Sequence, residues 1–278
     1  METGDVLIRP LRPEDLPAAM RLKEAAGWNQ TEQDWMNLLE LQPDGCFALE
    51  YAGSLASTAT VICYGRELAW IGMVLTAPEY RGRGFARAVM ERSLECLRER
   101  GVAWIKLDAT DMGWPLYRKL GFEDEGPVER WALQAPAGPA RAAEVVSGFS
   151  LDEALDREAF GADRRAVLRR LARWEAVSVP GCGYAMGRPG SKAFYFGPCV
   201  CRTAEGARAL LLHFLIRHAG ELIFWDVLPA NREALRLAEQ FGFQRRRRLV
   251  RMVLPGSPAP PLRNNDQLIY GIAGFEYG

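Results

Sequence analysis

The sequence predicts an α/β protein of two related units in tandem. Each unit is a twisted mixed sheet flanked by helices, and the second is a degenerate copy of the first. Three observations carry this prediction. Short apolar strand-like runs alternate with segments of helical spacing from residue 6 to residue 133. A small-residue stretch, Gln134-Ala135-Pro136-Ala137-Gly138-Pro139-Ala140, then breaks the periodicity. Beyond it, the order of landmarks repeats. With 278 residues and 49% hydrophobic content, the chain suits two ordinary domains better than one. They are expected at residues 1–135 and 145–278, joined by a linker at 136–144.

Residues 6–11 read as a strand, and Pro13-Glu14-Asp15 opens a helix carrying Leu16, Met20 and Leu22. Thr31 with Asp34 three residues on makes a capping box for a second helix through Trp35, Leu38, Leu39 and Leu41. Residues 46–51 and 57–64 form a hairpin about the Ala52-Gly53-Ser54 turn. The apolar run 70–75 is a central strand. Ala86, Val89, Met90, Leu94 and Leu97 then recur at helical spacing until Gly101 ends the helix. Residues 104–109 resume as strand, 116–120 form a short helix stopped by Gly121, and 128–133 are expected to close the first sheet.

In the second half, Phe194-Tyr195-Phe196-Gly197-Pro198-Cys199-Val200 matches Ala69-Trp70-Ile71-Gly72-Met73-Val74-Leu75. A helix follows each, closed by Gly220 and Gly101 respectively. Ile223-Phe224-Trp225-Asp226 then echoes Ile105-Lys106-Leu107-Asp108, and Gln240-Phe241-Gly242-Phe243 echoes Lys119-Leu120-Gly121-Phe122. The glycine-rich turn before the first copy's helix has no counterpart, since Arg202-Thr203-Ala204-Glu205 stands there. The second copy is therefore expected to lack a phosphate site.

Composition excludes several function classes. Lys plus Arg and Asp plus Glu are balanced at 35 each, so no overall field draws the chain to nucleic acid or an anionic membrane. The longest apolar runs fall far short of the roughly 20 residues a membrane span needs, and no basic, apolar leader opens the chain, so a cytoplasmic protein is expected. Six cysteines occur without a CxxC pair and with only two histidines, which argues against a metal site. The cysteines read as small buried hydrophobes in a reducing compartment.

The chemistry concentrates in Val74-Leu75-Thr76-Ala77-Pro78-Glu79-Tyr80-Arg81-Gly82-Arg83-Gly84-Phe85-Ala86-Arg87, which is strand, glycine-rich turn and amphipathic helix in succession. Free N–H groups and the dipole at a helix start favour phosphate, and glycines let the backbone approach it. Arg81 and Arg83 add charge-assisted donors. No Gly-Lys-Ser/Thr follows and no Gly-x-Gly-x-x-Gly is present, which disfavours ATP and NAD.

The Arg81, Gly84 and Ala86 spacing resembles the pyrophosphate-binding motif of the GNAT N-acetyltransferase superfamily. The resemblance covers most of residues 5–133, including Leu116-Tyr117-Arg118-Lys119-Leu120-Gly121-Phe122. It implies acetyl-CoA as co-substrate, with the N–H groups of Gly82, Arg83, Gly84, Phe85, Ala86 and Arg87 around the pyrophosphate. It also implies that Val74, Leu75 and Thr76 pair with the pantetheine arm as with an added strand, where splayed parallel strands leave amides unpaired. An N–H in that stretch would polarise the thioester carbonyl. By the same resemblance, Tyr117 is the general acid to the departing thiolate. A phenol near pKa 10 facing a thiol near 8.5 donates about 1.5 units uphill, or roughly 2 kcal/mol. The alternative is that Tyr117 packs on the helix and only hydrogen-bonds the sulfur. The segment before it is shorter than in many members and carries Gly113 and Pro115, so a contact made elsewhere by an Asn there does not transfer.

An alkylammonium near pKa 10.4 needs about 4.6 kcal/mol to deprotonate at pH 7, so a base is expected. Among Glu67, Glu79, Asp108 and Asp111, Asp108 is the candidate, because a carboxylate inside a strand is paired or functional. A buried structural role is its alternative. The second half resembles the second domain of a two-domain bacterial GNAT subfamily, so it is expected to form the acceptor site or to mediate homodimerisation. Asp226 and Glu276 are its candidates for binding a cationic amine, against the alternative that each is paired with an arginine. The arginine run 245–248 is read as a solvated strand edge. The expected reaction is transfer of an acetyl group from acetyl-CoA to a primary amine of a small molecule, through a tetrahedral intermediate and without metal. The rivals are a CoA sensor without turnover and a protein lysine or N-terminal acetyltransferase. No histidine lies near Cys63 or Cys96 in sequence to support a covalent cysteine route.

Overall fold

A computed structural model describes residues 5–135, 146–256 and 259–278. The linker expected at 136–144 lies outside the described residues. Residues of the first half form β1 (Val6–Pro10), α1 (Leu16–Ala25), α2 (Glu32–Leu41), β2 (Cys46–Tyr51), β3 (Ser54–Tyr64), β4 (Leu68–Thr76), α3 (Phe85–Glu99), β5 (Trp104–Ala109), α4 (Trp114–Lys119) and β6 (Glu123–Gln134). The second half contributes β7 (Ser147–Gly148), α5 (Glu153–Phe160), α6 (Arg165–Leu171), β8 (Glu175–Val179), β9 (Gly183–Arg188), β10 (Phe194–Cys201), α7 (Ala204–Arg217), β11 (Leu222–Val227), α8 (Arg232–Gln240), β12 (Gln244–Pro255) and β13 (Ile269–Gly271).

Local chemistry sets these bounds. Thr31 caps α2 by accepting from the Asp34 N–H, while the Asp34 carboxylate accepts from the Thr31 N–H at 2.7 Å, closing a capping box. The apolar face of α3 buries Val89, Met90, Leu94 and Leu97 against the sheet, and Gly101 turns the chain out at φ +63. Six strands of the first half and the later strands then merge into one sheet. Its order is β1-β2-β3-β4-β5-β12-β6-β11-β10-β9-β8-β7, with β13 added on β10.

That order corrects the expectation for residues 128–133. The strand β6 does not close the first half's own sheet; it lies between β12 and β11, both from the second half. The last strand of the second half, β12, takes the place beside β5. The halves have thus exchanged closing strands. The arginine run 245–248 pairs only with β6, since the β5 ladder of β12 begins at Val250; Arg245, Arg246 and Arg248 are exposed, as a solvated edge requires, and Arg247 is half-buried.

Each exchange carries an ion pair. Arg251 on β12 donates through Nε and Nη2 to Asp108 on β5, at 2.9 and 3.1 Å. Arg130 on β6 donates in the same way to Asp226 on β11, at 2.8 and 2.6 Å. The two pairs occupy matching positions in the repeat. Aromatic rings cover the cations: Trp70 lies 4.5 Å from the Arg251 guanidinium carbon, and Phe275 lies 4.7 Å from that of Arg130. One apolar cluster runs continuously between the halves, joining Trp35, Leu38 and Trp70 to Leu155, Leu168, Ile272 and Tyr277.

Candidate active site

Parallel pairing between β4 and β5 stops at Trp70↔Lys106. Beyond that point β4 continues to Thr76, but its β5-facing edge has no ladder partner. A register shift against β3 accompanies the change, with Met73 at φ +49, a conformation that non-glycine residues seldom adopt. The splay opens a cleft of about 690 Å³. Its wall includes Val74, Leu75 and Thr76, the stretch expected to pair with a pantetheine arm.

The turn after β4 leads directly to the start of α3. Gly82 and Gly84 have φ of +77 and +85, which is why glycine stands at both. A Cβ at either position would meet nothing within 4 Å, so the surface there is open. Among the described residues, the N–H groups from Gly82 to Arg87 have no main-chain acceptor, and the next one, that of Ala88, bonds to the Gly84 carbonyl at 3.0 Å. No side chain caps this helix. Arg81, Gly82, Gly84, Phe85, Ala86 and Arg87 line the cleft. Arg83 does not; its guanidinium lies over the rings of Tyr51 and Tyr80, at 5.3 and 5.5 Å.

Tyr117, on α4, lines the same cleft and is 7% exposed. Its ring packs so closely on Gly113 that a Cβ there would come within 2.8 Å of it. Burial pushes its phenol well above the ordinary range. The phenol therefore holds its proton at neutral pH. Asp108 also lines the cleft, but both its oxygens are engaged by Arg251. Burial pushes its carboxyl up, and Arg251 opposes that rise.

The two acidic candidates of the second half part company. Asp226 is fully buried, is bound bidentately by Arg130 and does not line the cleft. Glu276 does line it. The segment after β13 lays Glu276 against β4 at Gly72, where a Cβ would stand 2.8 Å from the Glu276 Cα. Hydrogen bonds fix this segment: Trp70 Nε1 donates to the Phe275 carbonyl at 2.9 Å, and Tyr277 donates to the Asp34 carbonyl at 3.3 Å. Glu276 accepts from Arg188 at 2.6 Å and from Gln30 Nε2 at 2.7 Å. Burial pushes its carboxyl up, and Arg188 counters this.

Sequence reasoning missed Gln30, Arg130 and Arg247, all three in the cleft wall. Gln30 sits just ahead of a capping box, where nothing marks it for function. Arg130 and Arg247 become visible only once the exchanged strands are paired.

The matching place in the second half is built differently. Cys199 and Val200, the counterparts of Val74 and Leu75, pair with β13, at Cys199↔Gly271 and Val200↔Ile269. The chain's own strand thus fills the splay that is open in the first half. Thr203 caps α7 by accepting from the Gly206 N–H at 3.1 Å, which leaves that helix start with fewer free donors than α3. Among the described residues, no group of three or more His, Cys, Asp or Glu side chains could hold a metal ion. None of the described helices is long and apolar enough to cross a membrane.

Comparison with known proteins agrees with this architecture. An acetyltransferase (GNAT) family model matches residues 11–122, and a second acetyltransferase (GNAT) domain model matches residues 153–271. The chain is 28% identical to the uncharacterised N-acetyltransferase YitH of Bacillus subtilis over 226 residues, which is 76% of this chain and 78% of that protein. Among solved structures, a candidate acetyltransferase of Pyrococcus horikoshii superposes with a TM-score of 0.85 at 24% identity, covering 100% of this chain and 97% of that one. A tandem GNAT protein from the clavulanic acid biosynthesis pathway superposes at 0.64 with 16% identity, covering 92% and 100%. With two such domains in succession and an open cleft in the first, the chain belongs to the GNAT acetyltransferase family and is an acyl-CoA-dependent acetyltransferase.

Proposed function

We propose that the chain transfers an acetyl group from acetyl-CoA to a primary amine of a small molecule inside the β4–β5 cleft. The observation that carries this reading is the row of unpartnered N–H groups from Gly82 to Arg87, at an uncapped helix start on an open surface. Those groups, with Arg81, would bind the pyrophosphate. The unpaired edge from Val74 to Thr76 would hold the pantetheine amides and polarise the carbonyl. Acetyl-CoA supplies an activated acyl group on a thiol leaving group.

Tyr117 donates a proton to the departing sulfur. Its raised pKa does not forbid this, because the same desolvation disfavours the thiolate and keeps the two groups matched. Glu276, held at the splay beside Gly72, receives the acceptor ammonium and takes its proton directly or through one water. Asp108 and Asp226 are excluded from that role by their arginines; both serve the exchange of strands. Phe275 and Glu276 belong to the cleft wall, and a recess of about 690 Å³ suits a small amine.

Gly84→Trp tests the reading. The new side chain enters the open space over the helix start, and calorimetry is expected to show acetyl-CoA binding lost while the circular dichroism spectrum is kept. Unchanged affinity would remove the turn as the coenzyme site.

A further inference from the structure

The acceptor end of the cleft holds two opposite charge centres. On one side, Arg188 faces two carboxylates, Asp34 at 3.0 Å and Glu276 at 2.6 Å, so this trio is net negative. Beside it, Gln30 donates through Nε2 to Glu276, which leaves its buried Oε1 as an acceptor without a partner among the described residues. A buried acceptor in that state points to a donor supplied by a ligand.

On the other side stands Arg247. It lines the cleft and, among the described residues, has no ion pair and no hydrogen bond from its side chain. Its register partner on β6 is Arg130. Asp226 is already engaged by Nε and Nη2 of Arg130, leaving Arg130 Nη1 open. Burial and the Arg130 charge both act against the Arg247 cation, and Asp226 and Asp111 offset this only in part. A bulge is what brings Arg247 there. The register runs Arg245↔Trp131 and then Arg247↔Arg130, skipping Arg246. Without that skip, Arg246 would take the place opposite Arg130 and Arg247 would turn to the other face. Two guanidinium groups, one of them unpaired, are costly in a half-buried cleft unless an anion joins them.

We propose that the acceptor is a small amine that also carries a carboxylate or phosphate, with Arg247 and Nη1 of Arg130 binding the anion while Glu276 and Oε1 of Gln30 receive the ammonium. This rests on the cleft being the acceptor site. The anion fixes the far end of the acceptor, so the amine is aimed at the β4 splay.

The test is coenzyme-dependent thiol release by the full-length protein on matched amines. One pair is β-alanine and its carboxamide, the other phosphoethanolamine and ethanolamine, each compared at equal free-amine concentration. The wild type is expected to favour the anionic member of at least one pair by about tenfold or more in kcat/KM, as a charge-assisted contact supplies. Which pair shows it identifies the anion. Arg247→Gln is expected to bring that ratio to near one through the amine KM, with the acetyl-CoA KM unchanged, and Arg247→Lys to keep part of it. A wild-type ratio near one in both pairs overturns the proposal. So does an unaltered ratio in Arg247→Gln, or a rise in the acetyl-CoA KM in place of the amine KM, since Arg247 would then serve the coenzyme. The underlying reading fails separately: if Glu276→Gln leaves every amine KM and kcat in place, the cleft is not the acceptor site.

Discussion

Asp226 accepts two hydrogen bonds from Arg130, at 2.8 and 2.6 Å, across a ladder that joins a strand of one half to a strand of the other. Asp108 and Arg251 repeat the arrangement at the matching place. The repeat that the sequence displays is thus clasped twice by the same chemistry.

Because both partners in the Asp226 clasp are buried, removing one strands a charge. Asp226→Ala is expected to destabilise the chain by about 3–5 kcal/mol, and Arg130→Met added to it to recover part of the loss. Urea unfolding of the wild type and both variants checks this. A loss under about 1 kcal/mol in the single variant would mean that the clasp is not holding the exchange.

Tyr117→Phe removes the proposed acid and keeps the ring on Gly113. The expected result is a kcat lowered by about 10²-fold with acetyl-CoA affinity unchanged, read by thiol release and calorimetry. If kcat barely moves, the phenol is a packing group.

Glu276 titrates above the ordinary glutamate value of 4.5, because burial outweighs Arg188. Its ionised form is the one that accepts a proton. With a weakly basic amine, kcat/KM should therefore rise with pH through an inflection above 4.5, and Glu276→Gln should remove that limb while lowering the plateau. For stability the sign is the reverse. A carboxyl with a raised folded pKa contributes most at low pH, and that contribution fades as pH rises through the folded value, so the wild type should gain less stability above it than Glu276→Gln does.

Gly72→Ala places a methyl group 2.8 Å from the Glu276 Cα. Backbone must shift, at a cost of about 1–3 kcal/mol, and the tail should move away from β4. Amine turnover is expected to fall further than acetyl-CoA affinity, which steady-state kinetics and calorimetry separate. Equal losses in both would place Gly72 in the coenzyme site instead.

Most elements were legible in the sequence because their signals are local. The Thr31 and Asp34 box, Gly101 after α3 and the turn at Gly82 and Gly84 each depend on neighbours within a few residues. The partner of a strand is not local. β6 has the alternation needed to lie beside β5, and nothing within it tells that it lies between β12 and β11. The arginine run 245–248 is legible as a solvated edge because like charge is local, whereas the bulge that turns Arg247 alone into the cleft depends on pairing with β6. Glu276 was found as a carboxylate, yet the Gly72 contact that brings it to the splay spans most of the chain.

The strand β13 lies on β10 at the positions that match the proposed pantetheine contacts of β4. One half thus offers an open edge to the proposed diffusible ligand, while the other carries its occupant covalently, at an effective concentration that does not vary with metabolism. Acetyl-CoA bound at the proposed site should then stabilise the sheet that both halves share, by an amount that grows with its concentration, whereas the β13 contact contributes a fixed amount. On the proposed reading, the chain pairs a half whose occupancy follows coenzyme supply with one whose occupancy is set by its own strand.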